Sequence, residues 1–83
     1  MTKSEFKTRV GMGFFSCEWI NNAGSISKVK RGILGTNKRI TGQHKEHNDY
    51  VLAYRVGRGL MPQHRRWANI NPNTIIKING QNV

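Results

Sequence analysis

Residues 50–56 read Tyr-Val-Leu-Ala-Tyr-Arg-Val, and this stretch decides the fold class. Aromatic and β-branched side chains suit a pleated, half-buried surface. Tyr50, Leu52, Tyr54 and Val56 share one parity, with Val51, Ala53 and Arg55 on the other, so the pattern predicts a strand. Gly57, Gly59 and Pro62 then break it.

Working outward, residues 65–70 form the next expected strand, with Arg66, Ala68 and Ile70 opposing Arg65, Trp67 and Asn69. Asn71-Pro72-Asn73 predicts a sharp turn, because proline fixes φ and asparagine favours turns. Residues 74–78 follow as a short last strand ended by Asn79-Gly80. Upstream, residues 14–20 place Phe15, Cys17 and Trp19 on one parity. Asn21-Asn22-Ala23-Gly24 is a turn, and residues 25–33 return as the second arm of a hairpin. In that arm Ile26 and Val29 fall on opposite parities, the mark of a bulge or a shifted register. Between the hairpin and residue 50 lies a long polar loop, residues 35–49, that carries Lys38, Arg39 and Lys45. Loops of this length are usually functional or disordered. Residues 1–10 read as a basic N-terminal arm or a short helical turn started near Ser4 and stopped by Gly11 and Gly13. Nowhere do apolar residues recur at helical spacing over three turns.

One domain is expected, spanning residues 11–80, mainly β and antiparallel, with five short strands separated by Gly, Asn and Pro. A closed or strongly bent sheet would hide the edges of so small a protein. The hairpin 14–34, the strand 50–56 and the run HRRWANINPNTIIKI (64–78) together resemble the small SH3-like barrels found in phage and bacterial genomes. The likeness is one of layout, with its motif between Trp67 and Ile78. It implies a five-stranded antiparallel SH3-like barrel and phage-type origin; an OB-like barrel is the alternative, and both kinds often bind nucleic acid.

Charge points the same way. Fourteen Lys and Arg face four acids (Glu5, Glu18, Glu46, Asp49), a formal net charge of +10 with a pI near 10.8. A net charge of about 2–8 suffices for solubility in a small domain. The excess repels itself, and a polyanion relieves that repulsion while releasing its own counterions. One basic group is Lys28, Lys30, Arg31, Lys38, Arg39 and Lys45, with no acid among residues 28–45. The other is Arg55, Arg58, Arg65 and Arg66, with His64. Arg presents a planar fork to phosphate, whereas Lys acts as a point charge. Trp67 and Tyr54, beside these arginines, are the candidate base-stacking residues. Trp19, Phe14, Phe15 and Tyr54 are read as core, since large aromatics dominate small interiors.

Other chemistry has thin support. His44, Glu46, His47 and Asp49 suggest a metal cluster, but no second ligand pair accompanies them, so no metal or other cofactor is expected. Cys17 with a histidine lacks an orienting group, and no phosphate-loop, dinucleotide or nuclease motif is present, so the reading is not an enzyme. The single cysteine predicts a reducing, cytoplasmic setting, the host's if phage-encoded. No apolar stretch is long enough for a membrane span, and the first ten residues lack an apolar signal core.

The expected function is therefore a small basic nucleic-acid-binding protein, for DNA or RNA, with mainly phosphate contacts and modest specificity. One alternative is a module that modulates a host enzyme by docking on its acidic surface. Another is a basic structural component of a ribosome or virion. A monomer or weak homodimer is expected, with the strand 74–78 as the edge along which copies would pair.

Overall fold

The strand Phe15–Ile20 (β1) lies at the centre of the fold, where both of its neighbours are distant in the chain or joined by a turn. Its burial alternates strictly: Phe15, Cys17 and Trp19 are buried while Ser16, Glu18 and Ile20 are half-exposed. The computed structural model describes residues 1–36, 45–57 and 66–83. Of the expected loop 35–49, only residues 35–36 and 45–49 fall among them.

Asn21 makes the first turn, its Oδ1 accepting the N–H groups of Ala23 and Ser25 at 3.0 and 3.1 Å. The chain returns as Ile26–Leu34 (β2). Then come Val51–Arg55 (β3), Trp67–Ile70 (β4), a single 3-10 turn at Pro72–Thr74, Ile75–Ile78 (β5) and Gln81–Asn82 (β6). All pairings are antiparallel, and the order across the sheet is β4-β3-β2-β1-β5-β6. The mainly-β expectation holds, but among the described residues the strands number six, not five. Pairing is open: among the described residues no bridge joins β4 to β6.

The sixth strand has a simple cause. Asn79 and Gly80 both take positive φ, 51° and 79°, the left-handed pair that a two-residue hairpin requires. The Asn-Gly dipeptide thus reverses the chain where a strand end was expected, and Lys77 and Ile78 pair with Asn82 and Gln81. Val83 N–H adds a bond to the Ile76 carbonyl at 3.0 Å. The outer edge of β5, expected to be open for a second copy, is therefore occupied by the chain's own tail.

Asn71 Oδ1 caps the 3-10 turn by accepting Asn73 N–H at 3.0 Å, and Pro72 is buried beneath it. Thr74 Oγ1 donates to the Ile20 carbonyl at 2.6 Å and fixes the turn against β1. This delivers β5 to the far side of β1 from β2.

The first ten residues contribute the helix Lys3–Val10 (α1), not a detached basic arm. Thr2, two residues before the expected start, is the N-cap. Its hydroxyl accepts Glu5 N–H at 3.1 Å while the Glu5 carboxylate accepts Thr2 N–H at 3.1 Å. This reciprocal box satisfies two donors that a helix start leaves orphaned. Phe6 is 0 % exposed and meets Phe15 edge-on, with ring centroids 5.6 Å apart. Phe6 and Val10 join Cys17, Trp19, Val29, Leu34, Val51, Ala53, Ala68, Ile70 and Ile78 in one core.

Glu46 fastens the helix. One carboxylate oxygen contacts both Lys3 and Lys7 Nζ at 2.8 Å, and the other accepts Leu52 N–H at 3.0 Å. Lys3 Nζ also donates to the His47 carbonyl at 2.9 Å. Burial works to raise the Glu46 pKa, but these donors outweigh it and hold the carboxyl at about 2.

On β3, Val51, Leu52 and Ala53 are all buried, so the expected alternation fails there. The reason is that β3 is covered on both sides. Val51 and Ala53 face the core, while Gly35 closes over Leu52. A Cβ at Gly35 would sit 2.8 Å from Leu52 Cγ, so only glycine allows this approach, which the Gly35 N–H to Leu52 carbonyl bond (2.8 Å) secures.

Two outcomes follow. Phe6→Ala leaves a cavity under α1 and costs ~3–5 kcal/mol, measured by denaturant unfolding; a neutral substitution would mean that α1 is a dispensable arm. The Glu46 carboxyl is depressed in the folded state, so its contribution is complete above the ordinary value of 4.5 and fades as pH falls towards about 2. Thermal melts of Glu46→Gln should therefore lie below wild type at neutral pH and converge with it over that acid window.

Candidate nucleic-acid interface

The site grows from an irregularity in the β1–β2 ladder. Phe15 pairs with Gly32 and Cys17 with Val29, so Lys30 and Arg31 together oppose Ser16 alone. The opposite parities of Ile26 and Val29 are therefore not its cause, because both pair regularly with β1, but the bulge expected in this arm is present one residue beyond Val29. A bulge sharpens strand twist and re-aims side chains. Here two successive cations, Lys30 and Arg31, are both exposed, as is Lys28.

The end of β3 lies alongside. Arg55 pairs with Gly32, Val56 N–H donates to the Arg31 carbonyl at 2.9 Å, and Arg55 Nη2 reaches the Lys28 carbonyl at 3.4 Å. Lys28, Lys30, Arg31 and Arg55, with Val56 and Gly57, line a groove of about 400 Å³. No carboxylate is among the described residues of that lining. Arg31 also lies over the Phe14 ring, 4.1 Å from its centroid.

A smaller hollow of about 270 Å³ adjoins the groove and shares Lys28 and Lys30 with it. Its other side carries Glu18 and Lys77. Glu18 pairs across the sheet with Lys28 on β2 and Lys77 on β5, and stands 3.8 Å from the Lys28 ammonium. The basic surface thus crosses four strands, with five cations and one carboxylate among the residues lining the two hollows. Lys77 was not a sequence candidate. Its local signal is one charge in an Ile-rich strand, and only the pairing of β5 with β1 brings it beside Glu18.

The other candidates separate. Lys38, Arg39, Arg58 and Arg65 lie outside the described residues, as do His44 and His64. Lys45 lines a different hollow with Glu46, His47, Asn48 and Asn69. Arg66 donates to the Tyr54 hydroxyl at 3.0 Å, and Tyr54 meets Trp67 edge-on at 5.1 Å. Tyr54 and Arg55 are adjacent on β3 and so project to opposite faces. Tyr54 and Trp67 are half-buried, so Tyr54 is not the core aromatic expected. Nor is Phe14: it precedes β1 and is 47 % exposed, because Phe15 takes the inward parity.

Of the residues weighed above as metal ligands, His47 Nδ1 accepts Asp49 N–H at 3.0 Å, and Glu46 is held by Lys3, Lys7 and Leu52. Among the described residues no group of three potential ligands converges. Nor is any helix among them long and apolar enough to cross a membrane. Cys17 is 2 % exposed, and burial pushes its thiol up to about 12. Comparison with protein-family models, characterised proteins and solved structures finds no match.

The thiol state is directly measurable. Reactivity requires thiolate and access. Cys17 should resist a thiol-alkylating reagent at pH 8 in the folded protein and react fully in denaturant; rapid native labelling would contradict the buried position.

Proposed function

We propose that this chain is a nucleic-acid-binding module that holds the phosphate backbone along the groove between β2 and β3. The observation that carries the reading is the lining of that groove, four cations with no carboxylate among its described residues. Bringing like charges together on a chain of net charge +10 is unfavourable unless a polyanion completes the arrangement. Arg31 and Arg55 supply planar forks for phosphate, and Lys28, Lys30 and Lys77 supply mobile point charges.

The reading includes an SH3-like architecture. Its support is connectivity: β1 to β4 form a meander, and β5 returns across β1 after one 3-10 turn. The register shifts in the β1–β2 and β1–β5 ladders are of the kind that introduces sheet curvature, which such a barrel requires.

Binding should weaken steeply with salt. Five phosphate contacts give a slope of about −3.5 to −4.5 in log K against log salt, measured by anisotropy with a generic strand and a duplex. Lys30→Gln should reduce that slope by about 1 without changing which sequences bind. No binding to either form at low salt would overturn the proposal.

A further inference from the structure

An exposed phenylalanine in contact with an arginine of the basic groove has a chemical consequence. Phe14 leaves nearly half of its surface in water, although burial of such a ring is ordinarily favourable. The core does not lack an aromatic at this point, because Phe15 fills it against Phe6. What Phe14 does contact is the Arg31 guanidinium, 4.1 Å from the ring centroid. Arg31 in turn lines the groove with Lys28, Lys30 and Arg55. An aromatic ring and a planar cation are therefore stacked at the margin of a basic channel.

Phosphate binding alone does not use such a stack. A duplex buries the faces of its bases and offers only their edges and its phosphates. A single strand presents an open π-face at every unpaired base, and aromatic and guanidinium planes both stack on that face. We propose that Phe14 and Arg31 form a base-stacking platform and that the groove takes single-stranded nucleic acid. The backbone lies on Lys28, Lys30, Arg55 and the N–H edge of Arg31, and one unpaired base stacks against the Phe14–Arg31 pair. This rests on the phosphate-binding reading above and adds the class of strand.

The test separates bases from phosphates. Three labelled probes of about 12 nucleotides are titrated by anisotropy: an oligothymidine strand, the same strand with abasic sites throughout, and a duplex. Wild type should bind oligothymidine about five- to tenfold more tightly than the abasic strand. Phe14→Leu should abolish that ratio by lowering oligothymidine affinity to that of the abasic strand, and Lys30→Gln should weaken both strands equally. Phe14 lies outside the core, and a thermal melt checks that its variant stays folded. Were that variant unstable, Arg31→Lys, which keeps the charge but removes the stacking plane, should lower the same ratio. Equal wild-type affinity for the abasic strand and oligothymidine, or a ratio that survives Phe14→Leu, overturns the platform and leaves phosphate binding standing. Failure of all three probes to bind at low salt overturns both.

Discussion

Val29 and Leu34 both reach the core, although five residues separate them along one strand. A regular strand sends positions at odd spacing to opposite faces. The extra residue at Lys30 and Arg31 resolves the conflict: it absorbs one position, so that Val29 packs with Cys17 while Gly32 and Leu34 regain the inward register. The same insertion leaves two successive cations facing water. Core packing and the basic surface therefore have one geometric origin. Neither can be altered independently of the other, since removing the bulge would turn either Val29 or Leu34 outward.

The placement of the four acids decides where the excess positive charge is felt. Glu5 is spent on the start of α1, where it accepts the Thr2 N–H. Glu46 ties Lys3 and Lys7 to the start of β3, and Asp49 stands 4.0 Å from His47 at the other end of the same short segment. Only Glu18 lies within the basic surface, between Lys28 and Lys77. Exposed pairs of this kind contribute little to stability, and one carboxylate between two ammonium groups leaves a net positive field. Two of the four acids thus serve the helix, and at the groove the Lys28 ammonium has Glu18 at 3.8 Å.

Much of the sheet was legible in the sequence because period-two patterning reports a strand with one buried face. β1 satisfies that condition at every residue, whereas the bulge of β2 lies at Lys30 and Arg31, past the regularly paired Ile26 and Val29. Legibility failed where tertiary contacts override local pattern. Leu52 breaks the alternation of β3, its side chain lying over the bare backbone of Gly35, seventeen positions earlier. Phe6 carries no periodic signal, since a helix of eight residues has room for only two inward positions. The helix holds through its cap, its aromatic anchor and Glu46, and only the cap is encoded locally. On the site, Lys28, Lys30, Arg31 and Arg55 were legible as charges, but not as a groove. Sequence grouped Arg55 with Arg66, whereas the pairing of Arg55 with Gly32 moves it to the β2 cluster.

Phe14 and Phe15 show how little of the site resides in residue type. The two side chains are identical and adjacent, yet Phe15 is 3 % exposed and Phe14 is 47 % exposed. Strand direction alone separates them: Phe15 occupies the first inward position of β1, and Phe14 precedes the strand. The core claims only one ring there, and the second is left to whatever lies beside it. On this surface that neighbour is Arg31, itself turned outward by the bulge. The contact between Phe14 and Arg31 is thus a product of the same extra residue that aligns Val29 and Leu34.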